Sequence, residues 1–162
     1  MSIAIYAGSF DPITLGHLSV LRQAARLFAH LRVLVAHNPA KDYLFDVDAR
    51  VALVRQLVAA MPNVTVDATD GLVVDYARDI AASFLVRGVR GASDAQFETE
   101  LAQANRALAP ALTTILLPAD AELAEVSSSA LKRRARRGEP LAAFCPPAVA
   151  AALQARLNGA AE

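Results

Sequence analysis

The chain has 162 residues, 55% of them hydrophobic and 20% charged, and its formal net charge is zero. That composition is wrong for a disordered protein, and a chain of this length can bury about 70% of its unfolded surface, which favours one self-sufficient domain over residues 1–162. With no net charge, no whole-molecule field draws it toward nucleic acid or membrane, so any taste for anions must come from a local cluster.

The first predicted element is a short apolar strand over residues 2–7. It leaves through Ala-Gly-Ser-Phe-Asp-Pro-Ile-Thr-Leu-Gly-His, residues 7–17, a turn rich in glycine and hydroxyls that ends on a histidine. A helix over 16–29 follows, with Leu18, Leu21, Ala25 and Phe28 on one face. A second strand spans 31–36 and is broken by His-Asn-Pro-Ala-Lys. Asp46 is a good N-cap for a helix that turns Val47, Val51, Val54 and Val58 inward. Residues 63–68 form a third strand, 72–82 a helix, and 83–87 a fourth strand ending on Arg87 before Gly-Val-Arg-Gly. A long helix over 94–109 is stopped by Pro110, and a fifth strand over 113–117 by Pro118. A serine run opens a helix that ends near Gly138. Pro147 opens a last helix, with Gly159 beyond its end. Strands alternating with helices predict a doubly wound α/β domain with a five-stranded parallel sheet.

Cys145 is the single cysteine, which rules out an internal disulfide and a cysteine metal cluster. No basic segment followed by a long apolar stretch opens the chain, so it does not read as a signal peptide. No apolar run approaches roughly 18 residues, so no membrane span is expected. The expectation is a soluble cytoplasmic protein.

Open parallel sheets bind ligands at the carboxyl ends of their strands. Ser9, Thr14 and His17 follow the first strand, and Lys41 the second. Arg87 and Arg90 follow the fourth, and Ser127, Ser128 and Ser129 the fifth. No acidic pair stands among them, so the crevice is expected to be one-sidedly cationic and to hold more than one phosphate. Gly8 is expected to let the backbone turn and approach a ligand. Gly16 sits near the start of the first helix, where free N–H groups suit an anion, and His17 lies within reach of it. Neither G-x-G-x-x-G nor G-x-x-x-x-G-K-[ST] is present, which disfavours dinucleotide oxidoreductases and P-loop NTPases. G-x-S-x-G is missing, and His17, His30 and His37 lack metal-site spacing. A site with cations and no evident base suits a nucleophile that needs no activation. A phosphate monoester is one, because its second pKa is about 6. Nucleotidyl transfer onto a phosphate fits.

These motifs match a family. Residues 8–17 resemble the T/H-x-G-H signature of the nucleotidyltransferase superfamily, whose fold is Rossmann-like. Asn-Pro-Ala-Lys followed by Leu-Phe-Asp-Val-Asp-Ala-Arg-Val resembles the N/S-P-x-K…F-x-x-x-x-R-V segment of bacterial pantetheine-phosphate adenylyltransferases. Residues 85–108 resemble that family's R-G-x-R-x-x-x-D-x-x-x-E-x-x-x-A-x-x-N-R stretch, and Val-Ser-Ser-Ser-Ala-Leu-Lys its I-S-S-S-x-x-K segment. The resemblance covers essentially the whole chain. It implies transfer of AMP from ATP to 4′-phosphopantetheine, giving dephospho-CoA and pyrophosphate, with Mg²⁺. It further implies a homohexamer and possible feedback inhibition by CoA.

The resemblance also implies roles. His17, Lys41 and Arg90 would be catalytic, holding charge at the α-phosphorus. ATP would be bound by Ser9, Phe10, His17, Gly88, Val89, Arg90 and Glu98. The segment of Leu123, Ala124, Glu125, Val126, Ser127, Ser128 and Ser129 would complete its site. Ser9, Lys41, Val73 and Arg87 would take 4′-phosphopantetheine. No dedicated Mg²⁺ ligands stand out, and the metal is expected mainly on ATP phosphates and water. Two departures stand out. Leu-Ala-Glu-Val precedes the serine run where the family carries aromatics. Lys132, Arg133, Arg134, Arg136 and Arg137 form a basic run, expected to be a solvated helix face rather than a nucleic-acid site, since it lacks interleaved aromatics.

Overall fold

The computed structural model describes residues 2–159. Its elements follow the expected order. They are β1 (Ile3–Gly8), α1 (Leu15–Leu27), β2 (His30–Ala36), α2 (Val47–Val58), β3 (Val64–Thr69), α3 (Val73–Asp79), β4 (Phe84–Val89), α4 (Ala92–Leu108), β5 (Thr113–Pro118), α5 (Ser128–Arg136) and α6 (Pro147–Gly159). A single 3₁₀ turn, Ala121–Leu123, stands between β5 and α5.

All strand pairs are parallel, in the order β3-β2-β1-β4-β5. The chain moves outward from β1 through β2 to β3, then crosses back to β4 on the other side and continues to β5. That reversal opens a crevice between the carboxyl ends of β1 and β4. β1 is the central strand, buried on both faces, which is why it reads as an unbroken apolar run. Ala4 and Tyr6 pack into the larger core with α1, α2 and α6. Ile5 and Ala7 face a smaller core closed by α3.

Helix ends follow local chemistry. Asp46 caps α2 by accepting the Ala49 N–H at 2.8 Å. Ser127 caps α5 by accepting from Ala130 at 3.1 Å. Most bounds differ from expectation by one to three residues, and two of the differences bear on helix ends. α3 stops at Asp79, because Ala81 adopts a left-handed φ of 53° and the Ala82 N–H turns back onto the Ala77 carbonyl. Gly159 lies within α6 rather than beyond it. Among the described residues, no helix is long and apolar enough to cross a membrane.

Candidate active site

The turn after β1 is built differently from its sequence reading. The left-handed residue is Phe10, with φ of 47°, not Gly8. Gly8 is required by packing: a Cβ there would stand 3.1 Å from the Phe10 ring. That ring is buried edge-on against both Tyr6 and His17. Thr14 then starts α1. Its hydroxyl accepts the His17 N–H at 3.3 Å, and its own N–H donates to His17 Nδ1 at 3.0 Å. A backbone N–H can only donate, so Nδ1 is an acceptor and the neutral ring carries its proton on Nε2. Burial pushes the His17 pKa down to about 4, helped by the charges of Arg90 and Arg87. His17 is thus a neutral Nε2–H donor near pH 7, not a fourth cation.

A cavity of about 340 Å³ lies where β1 and β4 diverge. Ser9 and His17 line it from the β1–α1 side, and Arg87, Gly88, Val89 and Arg90 from β4 and the turn after it. Glu98 comes from α4, and Val126, Ser127 and Ser128 from the start of α5. The N-termini of α1 and α5 both open onto it, so unpaired N–H groups and two helix dipoles favour an anion there. Gly16 allows that convergence, since a Cβ on it would stand 3.2 Å from the Val126 carbonyl oxygen.

Phe10, Lys41, Val73, Leu123, Ala124, Glu125 and Ser129 lie outside this lining. Lys41 is exposed in the β2–α2 loop, whose turn is closed by its own N–H on the Asn38 carbonyl. Val73 is the first residue of α3, beside the end of β3.

The expectation of a crevice without acidic partners is corrected by α4. Glu98, 7% exposed, grips Arg87 with both oxygens, at 2.7 Å to Nε and 2.9 Å to Nη2. A third bond runs from Arg87 Nη1 to the Ala7 carbonyl at 2.8 Å. One turn earlier on α4, Asp94 accepts from Arg90 Nε at 3.0 Å and from the Arg90 backbone N–H at 3.2 Å. Asp94 and Glu98 stand four apart, on one face of a helix, so both meet the crevice.

The geometry coincides with what the chain resembles. The cytidylyltransferase-like family matches residues 5–134. A phosphopantetheine adenylyltransferase from Herpetosiphon aurantiacus is 47% identical over 154 residues, covering 95% of this chain and 93% of that one. Another from Levilactobacillus brevis is 45% identical over 159 residues, covering 98% and 99%. The chain belongs to the phosphopantetheine adenylyltransferase family. A solved Vibrio parahaemolyticus structure, provisionally assigned as a nicotinate-nucleotide adenylyltransferase, superposes with a TM-score of 0.70 at 19% identity. It covers 94% of this chain and 91% of that one, and the likeness is one of fold alone.

Three features of this adenylyltransferase were not singled out in the sequence. Asp94 and Phe97 line the cavity from α4. The Asp94 signal was its position in the helix's first turn, where a carboxylate suits the dipole but can also reach back to Arg90. Phe97 is 62% exposed, an isolated ring in a polar helix. Arg50 is fully buried in α2 and reaches the strand ends from below. It donates to the carbonyls of Ser9 at 2.9 Å, Ala36 at 3.3 Å and Phe45 at 3.2 Å, and meets His37 Nδ1 at 2.8 Å. It pairs with no carboxylate among the described residues. Its place in the F-x-x-x-x-R-V segment was the available signal.

Proposed function

We propose that this crevice is where AMP passes from ATP to 4′-phosphopantetheine, with the residues around it dividing the two substrates between them. The enzyme's reaction yields dephospho-CoA and pyrophosphate, the penultimate step of coenzyme A synthesis. One observation carries the division of labour: a neutral His17 donor at a helix N-terminus opens into the same cavity as Arg87 and Arg90. The ATP phosphates lie across the starts of α1 and α5, touching His17, Arg90, Ser127 and Ser128. Gly88, Val89, Glu98 and residues 123–126 border the nucleotide, with Phe10 contributing backbone. The acceptor lies across the ends of β4, β1, β2 and β3, where Ser9, Arg87 and Lys41 meet its phosphate and Val73 its pantetheine arm.

The chemistry needs no protein base. The acceptor phosphate is largely dianionic near neutral pH. One of its oxygens attacks the α-phosphorus, a new P–O bond forms, and the bond to the β-phosphate breaks to release pyrophosphate. The protein's work is to align the two phosphates and to hold the charge that spreads over the α-phosphate oxygens. His17 suits this as a hydrogen-bond donor. Arg90 must exchange Asp94 for phosphate when ATP arrives. Among the described residues no three potential ligands cluster to cage a metal. Asp94 and Glu98 are engaged by arginines. These residues do not fit a protein-held cation, and we assign Mg²⁺ to the incoming ATP rather than to the chain.

CoA, as a larger relative of the product, would compete for the acceptor side. The enzyme acts in the cytoplasm and assembles as a homohexamer through α4, of whose 17 residues only Glu98 is buried. Products are read by mass spectrometry after incubation with ATP, Mg²⁺ and either 4′-phosphopantetheine or nicotinamide mononucleotide. Dephospho-CoA with matching pyrophosphate from the first mixture alone is expected. Adenylylation of the mononucleotide instead would overturn the acceptor assignment.

A further inference from the structure

Lys132 opens the basic run but does not join its solvated face. Its ammonium sits 3.2 Å from Oδ2 of Asp11, whose residue is 4% exposed. The same carboxylate accepts the Leu44 N–H on Oδ2 and the Phe45 N–H on Oδ1, each at 2.9 Å. One buried anion therefore gathers three stretches of chain. The β1–α1 loop carries Ser9 and His17. The loop that carries Lys41 is anchored at Leu44. Helix α5 begins beside Ser127 and Ser128, and Lys132 projects from it. A second strut runs alongside, from Ser128 Oγ to the Pro12 carbonyl at 2.9 Å.

A carboxylate at this depth is tolerated only where N–H donors and opposite charge replace its water. Leu44 and Phe45 supply the donors, and Lys132 supplies the charge. Removing the ammonium leaves a buried anion beneath the loop junction, and the three segments lose their common anchor.

We propose that Lys132 is a positioning residue for adenylyl transfer, acting through Asp11 to hold the nucleotide-side helix start and the Lys41 loop in one relative geometry. The proposal rests on the assignment of Lys41 and residues 127–129 to opposite substrates. Attack at the α-phosphorus needs both phosphates placed together, and a displacement of about 1 Å can slow such a step about a hundredfold. Two substrates seated on different segments depend on a stiff link between those segments.

The test is steady-state kinetics with both substrates varied, at a temperature where circular dichroism shows every variant folded. Lys132→Met keeps the stem and deletes the charge. It is expected to lower kcat by about tenfold to a hundredfold, with the KM for ATP and for 4′-phosphopantetheine rising together. Lys132→Arg restores the charge and is expected to recover most of the loss. Combined with Asp11→Asn, Lys132→Met should add little, because both changes remove one shared contact. A residue that only stabilises the fold would lower the melting temperature and leave these constants intact. Wild-type kinetics in Lys132→Met, or effects that multiply in the double variant, overturn the proposal. If Asp11→Asn does not fold, the Met and Arg variants decide alone. His17→Ala runs alongside. A slow His17→Ala with a normal Lys132→Met removes the coupling and leaves the site assignment standing, whereas two normal variants remove both.

Discussion

His17 shows how one side chain is prepared by its neighbours. Thr14 fixes which nitrogen carries the proton, the Phe10 ring walls one side, and burial with two nearby arginines holds the imidazole neutral. Removing one such donor to developing charge typically slows turnover about a hundred- to a thousandfold. His17→Ala is therefore expected to lose at least about tenfold in kcat while remaining folded. The same residue links stability to pH. Unfolded, it takes up a proton near the ordinary value of 6.5; folded, it does so only near 4. Between those values the unfolded chain binds more protons, so stability rises with pH through that window. The contribution is complete above 6.5 and is lost as pH falls toward 4. Denaturation midpoints measured from pH 4 to 7 should rise less steeply in His17→Gln than in the wild type. Identical slopes would show that His17 titrates normally.

At the scale of elements, the site depends on how closely helices approach strand ends. Gly88 in β4 lies under α1, and a Cβ there would come within 2.9 Å of Cγ2 of Val20. Val20 is buried and β-branched, so its methyl has little room to rotate away. Gly88→Ala is expected to destabilise the fold by about 1–3 kcal/mol through overpacking. Adding Val20→Ala should return much of that loss. Thermal midpoints of the two single variants and the double variant check this, and an additive double variant would mean that the strain lies elsewhere. Helix α2 acts from the opposite side, with Arg50 drawing the carbonyls of Ser9 and Ala36 together. The chain just beyond β1 and the end of β2 are thus braced from one side chain.

At the scale of the molecule, α4 stands out. Its far end exposes Leu108 at 59%, an apolar side chain that a hexamer would cover. Light scattering coupled to size exclusion is expected to give six copies, and a Leu108→Glu variant should shift the mass downward. A monomeric wild type would overturn the assembly. The sequence carried the sheet and its crevice well, because period and punctuation act locally, although β4 runs on through Gly88 to Val89 and β5 takes in Pro118. It carried partner choice poorly. Arg87 and Glu98 are eleven positions apart, and nothing in their spacing required a bidentate grip. Lys132 looked like its exposed neighbours, because Asp11, its partner, lies 121 positions away. Phe10 hid its left-handed backbone behind a glycine two residues earlier, which drew the attention such a turn invites.

The paired arginines have a bearing on which anions the crevice accepts. Arg87 and Arg90 each already hold a carboxylate. A lone inorganic phosphate would have to displace one of these for a single new contact, and it gains little by the exchange. A ligand with several phosphates in a row can replace bonds at more than one point while it also fills the two helix ends. On the nucleotide side, where Arg90 is already held by Asp94, the site is therefore expected to favour chain-like polyanions over single small anions.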